Sequence, residues 1–121
     1  MIPGLPALML CASLIVHDGD SLRCNGVPIR LAAIDAPEMR GSPACFGAKA
    51  RSHDCRFDEG ERSARAMRGL VAGREVSCAP MKLDKYRRVV ARCAAAGRDL
   101  SCAMVQLGFA VERYGRLGKC A

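Results

Sequence analysis

Tryptophan is absent from these 121 residues, and aromatic side chains make up only 4% of them: Phe46, Phe57, Phe109, Tyr86 and Tyr114. Proteins that hold single strands without regard to sequence rely on several stacking platforms, so a nucleic-acid partner of this chain would be gripped by its backbone rather than read by its bases. Long apolar runs are missing too. The most apolar stretch, Met1 to Leu10, is too short to span a membrane and lacks a positively charged start, and Pro3 and Pro6 break a helix within it. It is either the remnant of a signal peptide or the lead-in to the first strand. No two cysteines show the Cys-x-x-Cys spacing, which disfavours a sulfur-bound zinc or a redox dithiol. There is no internal repeat and no low-complexity segment. With 50% hydrophobic residues the chain is expected to fold as a single domain over residues 11–121, preceded by the apolar segment 1–10.

Acidic residues are the minority charge, 12 against 19 Lys and Arg, for a net charge of +7. A balance of this kind suits a polyanionic partner, nucleic acid above all, although a basic surface can also serve solubility alone. Against that background two short acidic motifs stand out near the start, Asp18-Gly19-Asp20-Ser21 and Asp35-Ala36-Pro37-Glu38. By turn chemistry they are ordinary, an Asp-Gly turn and a strand exit before proline. The other reading is that they collect a cation.

Eight cysteines, an even number in so short a chain, read as a disulfide framework made in an oxidising compartment. The order of elements suggests how they pair. Short apolar or alternating runs from about Cys11 to Val16, Ser21 to Cys24 and Pro28 to Ile34, separated by Asp18-Gly19 and Asn25-Gly26, read as a three-stranded meander. A first turn near His17 and Asp18 sets Cys11 opposite Cys24. Residues 39–57 lack periodicity and form a surface loop that Cys45 and Cys55 would close. Asp58-Glu59-Gly60-Glu61 has the pattern of a capping box for a helix carrying Ala64, Met67, Leu70 and Val71, stopped by Gly73, with Glu61 and Arg65 spaced for an ion pair. Arg74 to Ala79 and Arg88 to Ala94 read as a second hairpin around Asp84-Lys85-Tyr86-Arg87, with Cys78 and Cys93 as partners. Asp99 caps a last helix bearing Leu100, Ala103, Met104 and Leu107, ended by Gly108, and Cys102 on it can hold the tail through Cys120.

Three strands, a helix, two strands and a helix make an α+β, mainly β domain: a five-stranded β-barrel of the oligonucleotide- and oligosaccharide-binding (OB) type with two helices, stapled by disulfides. Asp18-Gly19-Asp20-Ser21, Arg30 to Glu38, Asp84-Lys85-Tyr86-Arg87-Arg88, and Asp99-Leu100 with Leu107-Gly108-Phe109-Ala110 occur in that order and spacing. In these motifs the chain resembles the staphylococcal nuclease (thermonuclease) family over roughly residues 11–114. The resemblance implies hydrolysis of phosphodiesters in DNA and RNA with a calcium ion held by Asp20, Asp35 and the carbonyl of Ala36, an all-oxygen set that suits a hard cation. It assigns the general base to Glu38 and the phosphate contacts to Arg30 and Arg88, and it lines the nucleotide pocket with Lys85, Tyr86 and Tyr114. Asp18 becomes a turn residue. Tyr114 could instead pack on the barrel, and His17 and His53 match no catalytic position and read as surface residues.

Two features sit uneasily with this. Strict strand alternation sends Arg30 and Asp35 to opposite faces, so a shared site requires a bend. Arg87 stands where the family has glycine, which threatens the turn and leaves two adjacent arginines for one role. The expectation is therefore a secreted or periplasmic, monomeric, calcium-dependent endonuclease with DNA and RNA as substrates, no membrane span, and no third helix after Tyr114. The alternative is a noncatalytic nucleic-acid-binding barrel of an exported protein.

Overall fold

The computed structural model of the protein describes residues 7–120. Its main sheet runs in the order β1 (Met9–Leu10), β6 (Val76–Leu83), β7 (Val89–Ala95), β4 (Val27–Leu31), β3 (Ser21–Cys24), β2 (Leu14–Val16), with β8 (Arg98–Asp99) appended to β7. The two ends of this order, β1 and β2, are separated in the chain only by residues 11–13. They act as halves of one bent strand, so the sheet curls round toward itself as a five-stranded OB-type barrel. The parallel pairing of β4 with β7, Ile29 beside Val89 and Leu31 beside Ala91, needs a crossover. Helix α1 (Phe57–Val71) supplies it.

Sequence pattern accounts for most of these elements. In β7, Val89, Ala91, Cys93 and Ala95 are buried and the residues between them are not, the period-2 signature of a strand with one face on a core. Helix α1 buries Gly60, Ser63, Ala64 and Met67 along one stripe and stops at Gly73, whose φ of +68° suits glycine. Helix α2 (Leu100–Gln106) is capped by Asp99, whose side chain accepts the Cys102 N–H at 2.8 Å, and buries its first five residues. Ser101, buried there, donates to the Ala32 carbonyl.

The core is aliphatic. Leu22, Ile29, Leu31, Ile34, Met67, Leu100 and Met104 are fully buried, and among the described residues no aromatic is. All four expected bridges are present: Cys11–Cys24, Cys45–Cys55, Cys78–Cys93 and Cys102–Cys120. By loop entropy each is worth roughly 2–4 kcal/mol, a large share for a domain without aromatic packing. Cys11 Sγ lies 3.8 Å from Cys78 Sγ, but both sulfurs are already bridged and neither has a thiolate to offer a metal.

Several local expectations are corrected. The first hairpin sets Leu14, not Cys11, opposite Cys24; Cys11 reaches Cys24 from the bend between β1 and β2. Of the apolar segment 1–10, residues 1–6 lie outside the described residues, while Met9 and Leu10 pair with β6. The 39–57 loop holds two 3-10 turns, Pro43–Cys45 and Gly47–Ser52. No capping box forms: α1 begins at Phe57, so Asp58 and Glu59 lie inside its first turn, where they oppose the positive end of the helix dipole. The ion pair along that helix joins Arg62 to Glu59 in place of Glu61 with Arg65. The second hairpin extends to Leu83, past a register shift between Pro80 and Lys82.

Candidate active site

Strand β4 ends at Leu31, and the chain then turns through Ala33, a non-glycine residue at φ +68°. That single left-handed residue breaks the alternation. Ile34 and Asp35 restart as β5, which pairs with β9 (Val111–Glu112) in a separate two-stranded ladder. As a result Arg30 and Asp35, five positions apart, come to the same side, with Arg30 Nη2 3.6 Å from Asp35 Oδ1 and 3.2 Å from the Ile34 carbonyl. The bend that the shared site requires is this turn.

Asp20 lies beneath them. Its side chain is 2% exposed, and its Oδ2 accepts the Ala36 N–H at 2.9 Å and faces Arg30 Nη1 at 3.1 Å. Asp18 shapes the turn in front: its Oδ1 accepts from the Asp20 N–H and from Ser21 Oγ, the geometry of an Asx turn. Burial and the nearby Asp18 charge push the Asp20 carboxyl well above the usual carboxylate range, although Arg30 pulls it down. Arg30 is held the other way, its charge favoured by Asp20 and Asp35 against the cost of burial. Gly19 is required here, because a Cβ on it would collide with Ser63 Oγ, which itself donates to the Phe109 carbonyl.

Glu38 is half-buried at the start of the 39–57 loop. Ser42 Oγ donates to its Oε1 at 2.7 Å, and its backbone N–H donates to the Asp54 carbonyl at 2.7 Å. On the other side Gly60 of α1 packs directly against the Glu38 carbonyl, leaving no room for a Cβ. Loop, bridge Cys45–Cys55 and helix together locate this carboxylate.

The β6–β7 turn carries the second basic group. Asp84 Oδ1 accepts the N–H groups of Tyr86 and Arg88, and its Oδ2 accepts Arg88 Nε at 2.8 Å. Burial alone would raise the Asp84 carboxyl, but the bonds from Arg88 and Tyr86 outweigh it and hold it below its ordinary value. Arg88 lies in the turn just before β7, next to the buried Val89, and β7 is the neighbour of the strand β4 that carries Arg30. Arg87 takes φ +66°, the conformation a glycine adopts freely, so the turn keeps its shape and the side chain is exposed. Tyr86 is exposed, with Lys85 Nζ 5.2 Å and the Arg88 guanidinium 5.4 Å from its ring centre.

Tyr114 does not pack on the barrel. It is 61% exposed, and Arg30 and Arg113 lie 5.3 and 4.9 Å from its ring centre. His17 is exposed and accepts from Arg23 Nε, and His53 is half-buried beside Ser52. Arg113, Ser42 and Asp54 escaped the sequence reading, and Gly60 was read only as part of a capping pattern, not as a neighbour of Glu38. Arg113 donates to Asp35 Oδ2 at 3.1 Å and lines a cleft of about 310 Å³ with Asp35, Asp54, Arg56 and Phe109.

A β-barrel of OB type is an architecture that binds oligonucleotides or oligosaccharides, and here carboxylates and arginines interlock beside the turn between β4 and β5. The family described as Staphylococcal nuclease homologue matches residues 28–119. The chain belongs to that family. No curated protein matches it. Among the described residues, no helix is long and apolar enough to cross a membrane.

Proposed function

We propose that the protein is a calcium-dependent endonuclease that hydrolyses DNA and RNA by in-line attack of water on the phosphodiester. The observation that supports this most is the cluster of Asp20, Arg30 and Asp35, in which a carboxylate from the turn before β3 and one from β5 meet around one guanidinium of β4. Asp20, Asp35 and the Ala36 carbonyl offer oxygen donors only, and Asp20 and Asp35 are brought together around Arg30. These residues fit calcium. When bound, calcium would polarise a phosphoryl oxygen and supply an activated water.

The remaining roles belong to the chain. Glu38, oriented by Ser42, takes the proton from the attacking water. Arg30 and Arg88 offer guanidinium N–H groups to the phosphoryl oxygens, where negative charge builds as the bond to the leaving oxygen breaks. Lys85, Tyr86 and Tyr114 line the path of the strand, with exposed rings and a cation suited to phosphate and sugar rather than to base identity. The protein would act as a monomer in a secreted or periplasmic setting, a reading supported by the four bridges and the absence of free cysteines among the described residues.

A second reading has its own support. Asp35 and Asp20 are already neutralised by arginines, as they would be in a noncatalytic nucleic-acid-binding barrel. Incubation of oxidised protein with denatured DNA and calcium, with and without chelator, separates the two. The nuclease shortens the DNA, stops with chelator, and slows by about a hundredfold or more as Glu38→Gln while still binding. Binding without shortening across a range of divalent ions would establish the second reading instead.

A further inference from the structure

Both oxygens of Asp35 are occupied by arginines, and the two arginines are held very differently. Arg30 is 17% exposed at its side chain and is tied at once to Asp20, Asp35 and the Ile34 carbonyl. Arg113 is 45% exposed, and its guanidinium meets Asp35 Oδ2 and the exposed face of Tyr114. Its backbone is fixed independently, by the Arg113 N–H bond to the Ala33 carbonyl at 2.7 Å. The side chain can therefore leave without disturbing the turn that places Asp35.

We propose that Arg113 is an exchangeable counter-ion and a substrate-binding residue: it neutralises Asp35 while the site lacks a cation, and once a cation takes that carboxylate it turns, within the cleft it already lines, to bind a phosphate of the nucleic-acid strand beyond the scissile bond. This deepens the nuclease reading and rests on Asp35 being a cation ligand. A cation at Asp35 frees a guanidinium for phosphate, and a phosphate that holds the guanidinium frees Asp35 for the cation, so each ligand strengthens the other's binding. The cleft between Asp35 and Phe109 also carries Asp54 and Glu59, but these carboxylates are paired with Arg56 and Arg62, so Arg113 is the guanidinium there that is left for a phosphate once a cation takes Asp35. The other, Arg56, is engaged by Asp54 through two nitrogens at 2.8 and 2.6 Å.

Titration calorimetry with calcium chloride alone tests this on the oxidised protein, comparing wild type, Arg113→Gln and Arg56→Gln. Arg113→Gln should bind calcium about two- to fivefold more tightly, the factor an ion pair of this exposure is worth, while Arg56→Gln stays at the wild-type value. In saturating calcium, Arg113→Gln should bind a nuclease-resistant phosphorothioate single strand several-fold more weakly. Arg113→Lys, which keeps a charge on the same backbone, should lie between. Equal calcium affinity in wild type and Arg113→Gln overturns the exchange and leaves the cation site standing; no calcium binding by any of the proteins overturns both.

Discussion

Gly60 on helix α1 and Glu38 after strand β5 are in direct backbone contact, the α-carbon of the glycine lying so close under the Glu38 carbonyl that no side chain fits between them. The helix thereby sets the height of the proposed general base. Gly60→Ala must push the two apart, at a cost of roughly 1–3 kcal/mol from overpacking. Because the displacement falls on Glu38, DNA cleavage should drop more than tenfold, with affinity for DNA nearly unchanged. Urea unfolding together with a cleavage assay checks this; full activity in Gly60→Ala would mean that the helix does not locate the carboxylate.

Asp20→Asn should remove both a cation ligand and the buried partner of Arg30. The amide oxygen can still accept the Ala36 N–H, but the carboxylate 3.1 Å from the Arg30 guanidinium is gone, and removing one partner of a buried ion pair is destabilising. The variant should melt below the wild type in chelator and lose the rise in melting temperature that calcium gives the wild type. Thermal unfolding with and without calcium measures both, and a variant that calcium stabilises as much as it does the wild type would contradict the assignment.

Arg87 occupies a left-handed backbone position in the β6–β7 turn, where a side chain is strained by about 1 kcal/mol. Arg87→Gly should relieve this and raise stability by up to that amount, offset in part by the freedom glycine gains when unfolded. Cleavage should change little if Arg88 makes the phosphate contact. A cleavage loss as large as that of Arg88→Gln would assign the contact to Arg87.

Asp84 gives a pH-dependent prediction. Its folded value is depressed, so the native state holds it ionised more readily than the unfolded chain does. Its contribution is complete above the ordinary carboxylate range and is lost as the pH falls through the lower folded value. Asp84→Asn keeps an acceptor for the turn N–H groups but loses the Arg88 guanidinium bond, which should cost about 1 kcal/mol at pH 7. Denaturant unfolding at pH 7 and again near pH 3 should show that difference shrinking with acid. A constant difference would place the effect in the turn rather than in the charge.

Much of the candidate site was legible because its residues lie in short motifs that resemble those of the nuclease family. Asp20 and Asp18 differ by two positions, and the Asx turn that ranks them is a local hydrogen-bond pattern. The bridges were legible for the same reason: each closes one hairpin, one loop or one helix end, so neighbouring cysteines in the chain are neighbours in space. The capping box failed because α1 starts one residue before Asp58, inside a loop whose conformation is set by Cys45–Cys55 and the Asp54 carbonyl rather than by its own sequence.

Residue order and periodicity marked the barrel's strands and helices and suggested the four cysteine pairs, since a period of two or of 3.6 and a turn signal are written within a few residues; the acids and arginines were grouped only through the resemblance of their motifs to those of the nuclease family. The tertiary structure decided how those groups meet. The left-handed Ala33 brings Arg30 round to Asp35, and the contact of Gly60 with Glu38 joins a helix to a strand end. Arg113 reaches Asp35 across 78 positions of chain because two strands of two residues each, too short to carry any pattern, happen to pair.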